Sequence, residues 1–148
     1  MARISVATEI DASPGEVWDA ISDVRSHVAW MADARAIRLT SRRREGPGTT
    51  FECDTRFGPL ALTDRMEITE WRPGRSMGVR HTGVVTGTGR FTLRAVGRPG
   101  RRRTRFTWQE RLTFPWWMGG RIGAVVGGRV MARVWRGNLA SLKALVEG

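Results

Sequence analysis

Scarcity bounds this chain before any pattern is read. Cys53 is the one cysteine in 148 residues, so no internal disulfide can staple the fold, which suits a reducing cytoplasm. The two histidines, His27 and His81, stand at spacings unrelated to each other or to Cys53. No metal-ligand motif results, and neither a metal nor a cofactor is expected. No apolar run is long enough to cross a bilayer, because arginine interrupts the C-terminal apolar stretch every few residues. Met1 to Ser13 alternates and so lacks the apolar run of a secretory signal. Lysine is nearly missing too: all but Lys143 of the 25 basic residues are arginine. Against 14 acidic residues the formal net charge is +11, which invites an anionic partner such as nucleic acid. An arginine-for-lysine skew beside many Gly, Ala and Val is also what GC-rich coding produces, so the excess weighs less than its size.

What is present fits one domain over residues 1–148, with a hydrophobic fraction of 41%. Residues 3–10 alternate, with Ile4, Val6, Thr8 and Ile10 on one face, and predict a first strand. Ser13-Pro14-Gly15-Glu16 then reads as a capped helix start: Ser13 caps, Pro14 takes the first helical position and Glu16 closes a capping box. Val17, Trp18 and Ile21 continue that helix to about Val24, and a second short helix or turn covers Ser26 to Met31, carrying Trp30. From Arg35 the period becomes two. Strands are predicted at 35–43, 49–57, 60–71, 76–83, 87–97 and 102–114, separated by Gly- and Pro-bearing turns short enough to demand an antiparallel meander. Pro115 to Gly148 closes the chain as one long amphipathic helix. Its apolar residues run from Ile122, Val125, Val126 and Val130 through Trp135 to Val146 at three-and-four spacing.

This order, with Ser13-Pro14-Gly15-Glu16-Val17-Trp18 near the start and Trp135-Arg136-Gly137-Asn138-Leu139, Leu142-Lys143 and Val146-Glu147 near the end, resembles the START-related helix-grip superfamily, in its polyketide cyclase/dehydrase and lipid-transport branch (SRPBCC). The resemblance covers essentially the whole chain and implies an α+β helix-grip fold. In that fold a curved seven-stranded antiparallel sheet grips the long C-terminal helix, with two short helices between strands 1 and 2. It also implies an apolar cavity between sheet and helix for a lipid, sterol, polyketide or other hydrophobic ligand. Some members of the superfamily are enzymes.

Alternation assigns the inward faces without the resemblance. In 60–71 the even positions Leu60, Leu62, Met66 and Ile68 are apolar and carry Asp64 with them. In 102–114, Phe106, Trp108, Leu112 and Phe114 bring Glu110 inward, and in 76–83 Met77 and Val79 bring His81. Other strands offer Ile37, Leu39, Phe51, Cys53, Thr55, Phe57, Phe91 and Leu93. Three ionisable groups on apolar faces must be paired, neutralised or hydrated. One reading pairs Asp64 or Glu110 with an arginine and leaves His81 at an exposed rim beside Gly83. A second has all three orienting a ligand, and a third makes them acid–base catalysts, with burial raising the carboxyl pKa values and lowering that of His81. Cys53 between Phe51 and Phe57 reads as a small core residue. Thr86-Gly87-Thr88-Gly89 lacks the lysine and the helix that a phosphate loop needs.

In a meander every second turn shares an end. Arg42 to Arg44, Arg72, Arg75, Arg98 and Arg101 to Arg103 therefore gather at one end, and the Phe114-Pro115-Trp116-Trp117-Met118 segment lies at the other. The arginine end can attract an anionic partner or simply be solvated. No aromatics are interleaved with its arginines, which argues against nucleic acid. Trp116 and Trp117 either form a gate or lipid contact at a cavity mouth or pack back around Trp18 and Trp30. The expected function is binding of a hydrophobic or amphiphilic small molecule. Phe51, Leu62, Met66, Met77, Val79, Phe91, Leu93, Phe106, Trp108, Val126 and Val130 would form the walls, with Trp30, Cys53, Thr55, Trp117 and Ile122 beside them, and Asp64, His81 and Glu110 would orient the ligand. The competing expectation is a cyclase, aromatase or dehydratase using those three ionisable groups. Oligomeric state has no sequence signal here.

Overall fold

The computed structural model describes all residues from Met1 to Gly148. Strand β1 (Ala2–Ile10) leads into helix α1 (Pro14–Ile21), a 3-10 turn (Val24–Ala29), and then strands β2 (Ala34–Leu39), β3 (Thr50–Phe57), β4 (Leu60–Arg72), β5 (Ser76–Thr82), β6 (Thr86–Val96) and β7 (Arg103–Thr113). A short 3-10 turn (Trp116–Met118) precedes helix α2 (Gly120–Glu147). The seven strands form one antiparallel sheet in the order β1-β7-β6-β5-β4-β3-β2, a meander with β1 added beside β7. The predicted α+β helix-grip architecture is the observed one.

The Ser13 cap forms as the sequence suggests, while the Glu16 carboxylate accepts from the Ser13 hydroxyl at 3.2 Å rather than closing the box on the Ser13 N–H. Ser13 accepts from the Glu16 backbone N–H at 3.2 Å with Pro14 at the first helical position, which orients α1 under the sheet. Val17, Ile21 and Val24 are fully buried, and Trp18 meets Trp71 edge-on at 5.0 Å. α1 and the following turn thus close the end of the sheet where the β4–β5 and β6–β7 turns lie. The long helix starts five residues later than predicted. Gly119 and Gly120 take left-handed φ values of 100° and 58°, a conformation that breaks a right-handed helix, so Pro115 to Met118 forms a separate turn.

α2 runs back along β1. A Cβ at Gly128 would lie 3.8 Å from that of Ala2, so glycine lets the helix sit close to the strand. Lys143 Nζ donates to the Glu9 carbonyl oxygen, and Glu147 accepts from the Asp11 N–H. The helix is divided by depth. Its second half buries Met131, Trp135, Asn138, Leu139 and Leu142, whereas Val125, Val126 and Val130 in the first half remain about half exposed. Only the second half is core. Above it, sheet and helix diverge and leave a space.

Arginine is placed in two ways. On the sheet, Arg38, Arg65, Arg80 and Arg90 pair with Asp54, Glu52, Glu67 and Glu70. The turn arginines Arg42 to Arg44, Arg98 and Arg101 to Arg103 lie exposed at the opposite end from the space. No helix is long and apolar enough to cross a membrane.

Candidate functional site

The space is a cavity of about 400 Å³, two-thirds of whose lining residues are hydrophobic. Its floor is aromatic. Trp30 packs against Phe91, Phe106 and Trp108 with centroids 5.9, 6.4 and 6.0 Å apart, and Trp108 stacks on Trp135 at 4.4 Å. The sheet wall comprises Phe51, Cys53, Thr55, Leu62, Met66, Met77, Val79 and Phe91, and α2 contributes Val126, Val130, Met131 and Trp135.

Asp64, His81 and Glu110 face this cavity together. His81 Nδ1 lies 3.0 Å from Asp64 Oδ2, and His81 Nε2 lies 2.7 Å from Glu110 Oε2. Trp108 Nε1 donates to the other Glu110 oxygen at 3.1 Å. Neither carboxylate pairs with arginine, and His81 is only 6% exposed, which corrects both the expected arginine pairing and the expected rim position. His81 and Glu110 belong to β5 and β7, separated by β6, and Gly89 makes their contact possible. Gly87 and Gly89 occupy inward positions of β6, between His81 and Leu112 and between Val79 and Glu110 respectively. A Cβ on Gly89 would fall 2.3 Å from Glu110 Oε1. The carboxylate occupies the room a side chain would take. Gly89, at the end of the Thr86-Gly87-Thr88-Gly89 segment, is therefore the clearing across which the cluster joins.

Burial alone would lower the pKa of His81, as expected from sequence. Although desolvation is the largest single influence, hydrogen bonds and attraction from Asp64 and Glu110 together outweigh it and raise the value to about 10. His27 shows the opposite case. Fully buried, with Nε2–H donating to the Ile21 carbonyl oxygen at 2.8 Å, it is pushed down to about 4 by desolvation. From an unfolded value near 6.5, the signs follow. Stability from neutral His27 falls as pH drops from 6.5 towards 4, where the unfolded chain binds a proton that the fold refuses. Stability from protonated His81 falls as pH rises from 6.5 towards 10, where the fold keeps a proton that the unfolded chain releases. Each histidine contributes roughly 3–5 kcal/mol at most. Urea unfolding across pH 4 to 10 should show a maximum near 6.5, and a profile flat from 7 to 9 would contradict the bridged arrangement of His81.

Further polar groups line the cavity that the sequence does not single out. Asp33, just before β2, accepts from Trp135 Nε1 at 3.1 Å and from Asn138 Nδ2 at 2.6 Å, while Asn138 Oδ1 accepts from the Ala32 N–H. Asn138 inside the apolar stripe of α2 is the available signal, since a buried amide demands partners. His27 and Met31 also reach the cavity. Cys53 is buried with Thr55 Oγ1 at 3.6 Å from its sulfur, and burial pushes its thiol up to about 11, so it is no thiolate nucleophile near neutral pH. No group of side chains is arranged to hold a metal ion.

Five expected lining residues lie elsewhere. Trp30, Leu93 and Phe106 are consumed by the floor, where α1 and the 3-10 turn fill the space with core. Trp117 and Ile122, on either side of the break at Gly119 and Gly120, are 60% and 78% exposed. Trp116, 85% exposed, does not pack back on Trp18 or Trp30 either. Both tryptophans stand at the open end.

The sequence matches the family model described as polyketide cyclase / dehydrase and lipid transport over residues 1–147. No curated protein matches it. Among solved structures it is similar to a protein of Thermus thermophilus (17% identity, TM-score 0.76, covering 97% of this chain and 96% of that one). It is similar also to the Zhui aromatase/cyclase from a Streptomyces species (12%, 0.76, 98% and 93%) and to a START superfamily protein from Mycobacterium smegmatis (12%, 0.74, 99% and 98%). At these identities the structural likeness establishes the fold.

Proposed function

Because the chain belongs to the polyketide cyclase / dehydrase and lipid transport family, we propose that it binds a hydrophobic or amphiphilic small molecule between the sheet and α2. The observation that carries this reading is a cavity of about 400 Å³ with apolar walls and one buried ionic cluster, the composition expected of a site that takes up an apolar body and orients one polar group. A packed core would leave no such volume. The half-exposed Val126 and Val130, with Trp116 and Trp117 beside the glycine break, suit the mouth through which the ligand passes.

Native mass spectrometry of the purified protein should detect a small hydrophobic molecule at stoichiometric occupancy. Val79→Phe, which places bulk in the middle of the cavity, should weaken binding of an amphiphilic probe by about tenfold or more. It should change stability by less than about 1.5 kcal/mol, because the side chain enters empty space. Equal binding by both proteins would remove the cavity from consideration.

A second reading, a cyclase or dehydratase acting on a polyketide-like chain, is favoured by the same cluster. A buried imidazolium can give a proton and a carboxylate can take one, which is what enolisation or loss of water requires, and the cavity would supply the folding of the chain. Under this reading Glu110→Gln would abolish turnover of a linear poly-β-ketone thioester while an uncharged probe still binds. Undiminished turnover would take Glu110 out of the mechanism.

A further inference from the structure

Charge inside the cavity runs opposite to charge outside it. A carboxylate oxygen can only accept unless it is protonated, so each of the two contacts to His81 must hold one proton. With those two protons and no third on a carboxylate, Asp64, His81 and Glu110 together carry one negative charge, whichever atoms hold the protons. Glu110 uses both oxygens, on His81 and on Trp108. Asp64 uses one. Its Oδ1 is buried and has no hydrogen-bond partner, an arrangement that is costly for a charged acceptor.

A second carboxylate, Asp33, lines the same cavity and is met only by the neutral donors of Trp135 and Asn138. Arg90 also borders the cavity, but its guanidinium is engaged by Glu70 at 2.7 and 3.1 Å, so His81 is the one cationic group inside. The +11 of the whole chain does not cancel this. Exposed arginines are screened over about 10 Å at ordinary salt, whereas buried charges are not.

We infer that the ligand is a hydrophobic amine whose protonated nitrogen donates to Asp64 Oδ1, with its apolar body lying along Met66, Met77, Val79 and Phe91. The inference rests on the reading of the cavity as a ligand site and adds the chemistry of the polar end. A carboxylate or phosphate there would face two carboxylates without a free cation. An alcohol would satisfy the orphaned oxygen but leave the negative charge uncompensated.

Decylamine, decanol and decanoate, below their micellar concentrations at pH 7, test this by titration against the fluorescence of the cavity tryptophans and by native mass spectrometry. The amine should bind about tenfold tighter than the alcohol, as a charge-assisted bond to a buried carboxylate implies, and decanoate should bind weakest. Asp64→Asn, nearly isosteric, should bring amine and alcohol to within about twofold. Amine and alcohol binding equally to the natural protein, decanoate binding best, or an amine preference that survives in Asp64→Asn would each overturn the inference while leaving the cavity a ligand site. Should the variant not fold, the order of the three probes on the natural protein still decides. Failure of all three to bind would overturn the cavity reading itself, and the inference with it.

Discussion

Replacing His81 with alanine is expected to destabilise the protein by about 3–5 kcal/mol at pH 7–8, the cost of leaving buried charge without its partner. The side chain is only 6% exposed and bridges two carboxylates at 3.0 and 2.7 Å. Without it, Asp64 and Glu110 keep no cationic partner, and only Trp108 Nε1 donates to either. Adding Glu110→Gln to His81→Ala should recover part of the loss at neutral pH, since a neutral amide replaces one of the two anions. Urea unfolding of the three proteins at pH 8 checks both statements. A deficit below about 1 kcal/mol would mean that the cluster is hydrated rather than bridged.

The second large effect is expected at Trp135. Its indole stacks on Trp108 at 4.4 Å with an interplanar angle of 13°, donates to Asp33, and forms part of both the cavity and the core. Trp135→Ala should cost about 3–5 kcal/mol from lost burial and the void left behind, with about 1–3 kcal/mol more for the unsatisfied Asp33 oxygen. Trp135→Phe retains a ring against Trp108 but removes the donor, so its cost should lie near the hydrogen-bond share alone. Chemical denaturation separates the two. If the phenylalanine variant is as unstable as the alanine variant, the Asp33 contact outweighs the stacking. If both are near the natural protein, the floor is not the structural base described above.

Much of this architecture is readable from side-chain periodicity. Inward faces follow from a period of two, so Asp64, His81 and Glu110 stand out as ionisable groups on apolar strand faces without any coordinates. Their mutual pairing is not readable in this way. It depends on β5, β6 and β7 being adjacent in a register that puts Gly87 and Gly89 between them, and a glycine in a strand carries no mark of what lies across it. The same limit explains the C-terminal helix. Its apolar stripe identifies a buried face but not how far that face stays against the sheet: Ile122 and Val126 are one turn apart on the same stripe, yet Val126 lines the cavity and Ile122 is exposed. The helix begins only at Gly120, after the turn at Gly119, and its close approach to β1 lies at Gly128, two turns further on. Trp30 and Phe106 are legible as buried. Whether they line a cavity or fill one depends on how far α1 reaches under the sheet.

Local spacing and turn chemistry are enough to set the order of elements, the antiparallel meander, the inward faces and the separation of an arginine-bearing end from a tryptophan-bearing one. Three further outcomes needed the folded chain: the gathering of three separated ionisable groups into one cluster of net negative charge, the arrival of Asp33 at the same cavity, and the use of the first half of α2 as a wall rather than core. They depend on distances between strands and on the placement of a helix, which arise when surfaces far apart in the chain are brought into contact.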